Sequence, residues 1–562
     1  MYILLVCFLI ISFIFIISGE SFILYFDKNA KDNYSVVDSF FIGLCLIGAL
    51  LNIWSLFLPT DVFSLLFVSL LSLALFFIHS KHFISKLKAG VSLLKSEKIF
   101  FVVTIIAIVS VLLFAVINPQ NYDTYLYHIN AIQWNEMYRA VPGLANLHDR
   151  FGFNSSMMVM SAAFSFNAIY DQYIFALSAI VFLVFFIWLL QLIYYKKGVT
   201  GMIAILFLYF FTQLYAKNIS SPGTDLIPNI FVAYILFSLL FDTDSLNKKY
   251  LLFVVVPFFG ITFKLSIFPL VFLGLIALYQ KHQNKRFAFT QLFTVGSFLI
   301  LPWLVRNVIL TGYLIYPMDT LDFFNFDWKV PKENVIATKN AIYNWAKVPM
   351  RNPHEVAKLS FNEWFSIWWK MAIFKTRCFL LLAVLAPVFY GLYLLISKKE
   401  RKKAVLFFVI VAYLGLAFWF FSAPDVRFSL AFILVLALFP LFILQPLIDK
   451  IKNVLYPIVI AFTLFFFYTF LQEGYALFQH DYRKETDLSY LYLPEDIYFI
   501  KEKRFIKYKD FTVKSTDNQD FKIYAPSIEH AQCYDKFPCT PTFDYNINMK
   551  GDDFQDGFKY GK

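Results

Sequence analysis

Charged side chains are scarce in this sequence. Asp, Glu, Lys and Arg make up 15% of its 562 residues, where a soluble domain carries about 25%. With 59% of the chain hydrophobic and 71 phenylalanines among it, water is excluded as the only solvent. Cysteine is scarce too. Of the five, Cys7, Cys45 and Cys378 lie in or beside apolar runs, where a thiol behaves as a small hydrophobe. The first twenty residues lack a basic leader and a small-residue cleavage site, which favours a retained helix over a removed signal peptide. No internal repeat is visible, which argues against the paired halves of a secondary transporter.

Long apolar runs are what the chain has instead. Fourteen can be read: 2–18, 39–57, 63–79, 99–117, 171–194, 200–216, 226–241, 250–261, 265–280, 288–305, 371–396, 404–421, 428–447 and 453–471. Several fill the span of about 20 residues that crosses a bilayer core. No water is available there to satisfy backbone groups, so each run is expected to be a helix. The pair 250–261 and 265–280 is short for two crossings.

The net charge of +11 lies mainly in short loops between these runs. That distribution speaks for membrane topology and anionic headgroups, and against nucleic acid. Lys81, Lys86, Lys88, Lys95, Lys98, Lys196–Lys197, Lys248–Lys249, the stretch 281–286, the SKKERKK run at 397–403, and Lys450 with Lys452 all fall on one face if the chain crosses fourteen times. The positive-inside rule makes that face cytoplasmic. The loops 118–155, 217–225, 262–264, 306–370 and 422–427, the tail 472–562 and the N-terminus then face outward. The expectation is an all-α polytopic protein of a bacterial inner membrane, with 13–14 transmembrane helices and its chemistry on the extracytoplasmic side.

Three regions follow: 1–98, three runs and a basic loop; 99–472, the other runs and nearly all the unusual polar residues; and 473–562, a polar tail. The tail stretch FTVKSTDNQDFKIY alternates like two strands around a turn, so a small α+β appendage is expected. Cys533 and Cys539 stand there with five residues between them, a spacing that allows a small-loop disulfide in an oxidising compartment.

The segment 118–156 is too long for a simple connector. Tyr122, Tyr125, Ile129, Ile132 and Met137 give it one apolar face, as in a helix lying along the membrane surface. VPGLAN breaks that helix, and a second begins near Asn154. Asp123 opens the first, where a helix N-terminus favours a carboxylate and where it is placed to take a proton from an approaching substrate. An N-cap is the plainer role for such a residue. Its company strengthens the chemical one: Asp225, Lys264, Arg306, Asp425 and Arg427 all sit near the outer ends of apolar runs. Ionisable groups at that depth are costly unless they pair or line a hydrated cavity. Three cations there suit an anionic group such as a lipid phosphate; ion pairs that only tie helices together are the alternative.

This layout is similar to that of the GT-C superfamily of membrane glycosyltransferases, which includes protein O-mannosyltransferases and bacterial aminoarabinose transferases. Those enzymes carry an acidic residue in the first large extracytoplasmic loop, just after a transmembrane helix, and use a polyprenyl-phosphate-linked sugar. YDTYLYH stands in that place here. VPGLANLHDRFGFNSS, WLVRNVILTGYLIYP, SAPDVRF and the CxxxxxCTP tail resemble segments of a bacterial multipass group placed with such transferases, and the likeness covers most of 99–562. It implies a GT-C-like core over 99–472 and a sugar transfer to a glycan, lipid or protein hydroxyl with inversion. Asp123 would act as general base, Arg306, Arg427 and Lys264 would hold the leaving phosphate, and His128, His148, Arg150, Asp225 and Asp425 would position substrate. Many relatives of this kind show paired acids where this chain has Asp123 between Tyr122 and Thr124. A divalent metal, the one cofactor the resemblance raises, would need a second carboxylate from Asp149 or Asp225. A flippase or polymerase of lipid-linked glycans is the alternative from another class, and a non-enzymatic scaffold a third. Both fit the gathering of ionisable residues at one interface less well.

Overall fold

The computed structural model describes residues 1–562 apart from 197, 283, 397–398, 449, 483–491, 493–507, 515–519, 528–531, 535, 543 and 562. Each of the fourteen apolar runs contains a helix. Eight helices are long and apolar enough to cross a membrane: Tyr2–Phe26, Val36–Trp54, Lys98–Ala115, Ala176–Tyr195, Val199–Asn218, Arg286–Thr311, Lys403–Ser422 and Asn453–Gln479. Two bent pairs, Val62–Ile78 with Ser80–Ser92 and Phe374–Val384 with Ala386–Leu395, bring the number to at most ten, the case in which each pair is one span. Of the 13–14 expected crossings, eight to ten are thus matched by helices long and apolar enough to span on their own. The other four runs give the shorter helices Leu226–Phe241, Tyr250–Gly260, Leu265–Lys281 and Leu430–Ile443. At 1.5 Å per residue even the longest continuous one of these, Leu226–Phe241, extends about 24 Å, against a hydrocarbon core of about 30 Å.

Packing explains where the short helices go. Leu226–Phe241, Tyr250–Gly260 and Leu430–Ile443 are buried along almost their whole length. Lys98–Ala115, by contrast, exposes Ile99, Phe101, Val102, Ile105 and Val109, a face suited to lipid. The helices Tyr2–Phe26 and Val36–Trp54 approach until their backbones touch. A Cβ on Gly19 would lie 1.9 Å from the Ser39 carbonyl oxygen, and one on Gly43 1.7 Å from that of Phe15. Small residues permit this approach, and dispersion rewards it. Ser35 and Asp38 cap the second helix reciprocally, which fixes its start. Residues 1–54 share one apolar core with the helices beyond 99, and the last helix, Lys452–Tyr482, carries on past residue 472.

Loop contacts sort the ends of the bundle. At one end Ala140 N–H donates to Ser55 O (2.8 Å), Thr60 N–H to Asn135 O (2.7 Å) and Ser156 N–H to Thr262 O (2.9 Å), and Trp368 Nε1 donates to Pro424 O (2.7 Å). At the other end three buried carboxylates each hold a lysine from a basic segment: Glu20 with Lys86 (2.6 Å), Asp38 with Lys249 (2.8 Å) and Asp27 with Lys281 (3.0 Å). Three of the basic segments expected on one face thus hold carboxylates at one end.

The tail forms two antiparallel pairs. β1 (Tyr508–Lys514) pairs with β2 (Asp520–Pro526), and β3 (Ile547–Met549) with β4 (Phe558–Tyr560). The alternating stretch thus forms strands as expected, although its turn, 515–519, lies outside the described residues. Ile523, Ile547, Met549 and Phe558 close over Leu126, Tyr127, Trp134, Val141, Leu144, Leu147 and Phe151. The helix expected to lie on the membrane surface is thereby covered on both sides, because Tyr125, Ile129 and Ile132 join the main core.

Candidate functional site

The segment after the helix Lys98–Ala115 re-enters a helix at 122, but not an ordinary one. Thr124–His128 form a π turn, and Ile129 N–H donates to Thr124 O, five residues back. In an α-helix Asp123 and His128 would point about 140° apart. The wider π turn brings the fifth residue round toward the first, a device common at functional sites. Thr124 Oγ1 lies 2.6 Å from Ser221 Oγ, and Ser178 Oγ donates to Ser221 O (2.7 Å), which ties the turn to the loop 217–225. Nothing in the local sequence signals this turn.

Three acid–base pairs converge beside it. Arg150 Nη1 donates to Asp123 Oδ1 at 3.1 Å, and each side chain is about one third exposed; the guanidinium also covers the Tyr127 ring at 5.1 Å. Lys264 binds Asp225 and lies 3.4 Å over the Phe428 ring. Arg427 binds Asp425 through Nε and Nη2, both at 3.0 Å. Asn229 holds two of these pairs in place, donating to Asp225 O (2.9 Å) and Arg427 O (3.1 Å) and accepting from Ala431 N–H (2.9 Å). Burial opposes the Arg427 charge, but Asp425, Asp225 and Asp123 outweigh it and hold its pKa above the ordinary value. The three pairs therefore share one electrostatic neighbourhood.

His128 sits among them, 2% exposed, and neither ring nitrogen has a hydrogen-bond partner among the described residues. Burial pushes its pKa down to about 4, against the opposing pull of Asp123 and Asp225. The ring is then neutral at pH 7, with one nitrogen a donor and the other an acceptor.

Not every expected residue belongs here. His148 Nδ1 accepts from Arg150 N–H (3.2 Å) and so caps the 3-10 turn that carries Arg150. Arg306 is elsewhere. Its guanidinium, 4% exposed, donates to Asn154 Oδ1 (2.9 Å), Ser55 Oγ (2.9 Å) and Asn135 Oδ1 (2.7 Å). Asn135 lies twelve residues beyond Asp123, about 18 Å along a helix. Arg306 is thus set apart from the three pairs, as a buried clamp on three neutral side-chain oxygens from separate segments. The second carboxylates considered for a metal are engaged as well: Asp149 accepts from Thr338 Oγ1 (3.1 Å) and Asp225 is bound to Lys264. Among the described residues no three His, Cys, Asp or Glu side chains gather as a metal-holding group.

A cavity of about 220 Å³ lies at the far end of the same helix, lined by Asp61, Val62, Glu136, Met137, Ser165 and Phe166 among others. Glu136 accepts there from Tyr173 OH (2.6 Å) and from Ser165 Oγ. The cavity and the ion pairs are separate features.

Cys533 and Cys539 are disulfide-bonded, and the loop they close grips the π-turn helix. Cys533 N–H donates to Tyr125 O (2.9 Å), Asn130 Nδ2 donates to Cys533 O, and Tyr534 packs edge-on against Tyr125 at 4.9 Å. A closed loop of this size stabilises by about 2 kcal/mol in the chain-entropy account. Replacing both cysteines by serine is expected to lower the unfolding temperature and to make the tail cleavable by limited proteolysis before the bundle. An unchanged digestion pattern would contradict the clamp.

The chain belongs to a family described as "Domain of unknown function (DUF8201)", whose model matches residues 1–434. That range includes all six partners of the three ion pairs and ends before the tail. No curated protein matches the chain, and no solved structure does.

Proposed function

We propose, with that family membership as the premise, that the chain is a membrane glycosyltransferase of the GT-C kind. It moves a sugar from a polyprenyl-phosphate carrier to an acceptor hydroxyl of a glycan, lipid or protein on the extracytoplasmic face of a bacterial inner membrane. The observation that carries the reading is the convergence of three acid–base pairs from separate loops on a π turn that holds a buried neutral histidine. Buried carboxylates at the opposite end each hold a lysine against the bundle. The Asp123–Arg150 pair differs from those in being partly open to solvent on both sides.

The pairs suit a reaction that begins with an exchange of partners. An arriving phosphate draws Arg150, Lys264 and Arg427 toward its oxygens, where charge-assisted bonds are strong. Asp123 is thereby released from Arg150. The acceptor oxygen attacks the anomeric carbon, its proton passes to Asp123, and the carbon–oxygen bond to phosphate breaks with its electron pair leaving on the phosphate. The cations offset the charge that grows there. His128 orients the acceptor through its free donor and acceptor, and Asp225 and Asp425 keep Lys264 and Arg427 in place between turnovers.

The test is Asp123→Asn in cells that lack the chain, read as the surface glycan lost on deletion. The variant is expected to reach the membrane at the normal level and to restore less than about 1% of the glycan, since removing a general base costs 10²–10⁴ in rate. Full restoration would refute the base assignment and move the flippase reading ahead of it.

A further inference from the structure

The basic segment after the third apolar run is not a loop. The helix Val62–Ile78 turns by 89° into a second helix, Ser80–Ser96. A helix at a right angle to a membrane span lies in the membrane plane, and the side chains of this one are sorted as that position requires. Lys81, Lys88 and Lys95 recur every seven residues and are exposed, which places them on one stripe. Ile84, Leu87 and Val91 form the adjoining stripe, 44%, 68% and 44% exposed. The remaining face is bound to the bundle: Phe83 is buried, and His82 (2.8 Å) and Lys86 (2.6 Å) both hold Glu20.

We propose that the helix Ser80–Ser96 is a binding surface for anionic phospholipid headgroups. Its chain neighbours are also apolar and exposed, Phe77 and Ile78 before it and Ile99, Phe101 and Val102 after it, so the stripe calls for the same apolar solvent. With that stripe against acyl chains, the lysine stripe stands at headgroup level. None of its three lysines is ion-paired among the described residues, whereas Lys86 on the docked face is taken by Glu20. Charge complementarity therefore selects phosphatidylglycerol-like lipids over zwitterionic ones. The surface lies at the end opposite the three acid–base pairs and does not depend on the proposed transfer reaction.

The experiment uses the full chain in nanodiscs of phosphatidylcholine and phosphatidylglycerol in equal amounts, with retained lipid counted by native mass spectrometry. The wild type is expected to keep phosphatidylglycerol preferentially. Each surface lysine contributes roughly fivefold, so the triple variant K81Q/K88Q/K95Q should lose roughly a hundredfold of that preference, while Lys248→Gln leaves it unchanged. A nitroxide at Leu87→Cys, on a Cys378→Ser background, should relax with oxygen and not with a water-soluble nickel chelate. Equal retention by the wild type and the triple variant would overturn the proposal. So would relaxation of the Leu87 label by nickel, which tests it even if the triple variant does not fold.

Discussion

Arg306→Ala is expected to destabilise the protein by about 3–5 kcal/mol, the largest loss from any single substitution considered for it. The guanidinium joins three parts of the chain: Ser55 after the second helix, Asn135 in the π-turn helix and Asn154 before the next one. Two effects oppose each other in the alanine variant. Removing a buried charge that has no carboxylate partner among the described residues relieves a desolvation cost. Against that, three buried acceptors lose their donors at about 1–3 kcal/mol each, and a large side chain leaves a void. The second group wins because the three acceptors come from separate segments and have no common substitute. Arg306→Lys separates charge from geometry. Lysine keeps the charge but has no planar fork to reach three acceptors, so it should be nearly as unstable as alanine. The check is thermal unfolding of the detergent-solubilised variants. Near-native stability in the lysine variant would mean that charge, not shape, is what the position needs.

Arg306 also marks where the sequence stops being legible. An arginine at the outer end of an apolar run reads equally well as an anion ligand or a clamp, and the residues that decide it lie far away: Asn154 is 152 positions off, Asn135 171 and Ser55 251. The same distance separates the surface helix from the tail that packs on it. Of the five residues that spacing assigns to one apolar face, Tyr125, Ile129 and Ile132 are buried, while Tyr122 and Met137 are 56% and 54% exposed; the cover over Leu126, Tyr127 and Trp134 comes from residues 523–558. The π turn was hidden for another reason. A wide turn is held by backbone bonds and by neighbours such as Ser221, and TYLYH has no composition that specifies it. What was legible rests on strong local signals. Apolar length located all fourteen runs, lysine distribution placed three basic segments at one end, and period-two alternation located β1 and β2. Length alone does not separate the four short runs from the long spans. A run such as 250–261 is apolar because it is buried in protein, and burial in protein and burial in lipid leave the same mark on composition.

His128 makes the second large prediction, and its sign follows from linkage. Burial lowers the pKa of the ring from the ordinary 6.5 to about 4, so the fold favours the neutral form. Between those values the unfolded chain binds a proton that the folded chain does not, and stability rises with pH. The contribution is complete above pH 6.5 and is lost as the pH falls toward 4. A shift of this size corresponds to roughly 3 kcal/mol. Wild-type protein should therefore lose stability on acidification, as should any protein whose paired carboxylates protonate; the histidine is isolated by comparison with His128→Phe. Phenylalanine fills the site without a titrating group or an orphaned nitrogen, and should match the wild type near pH 7.5 while losing about 3 kcal/mol less by pH 4. Parallel curves for the two proteins would mean that water or a neighbour solvates the ring. The same variant separates structure from chemistry: if His128 orients an acceptor, phenylalanine should fold well at neutral pH and still fail to restore the surface glycan. A stable, fully active His128→Phe protein would leave the three ion pairs without the neutral donor and acceptor that the transfer reaction assigns to their centre.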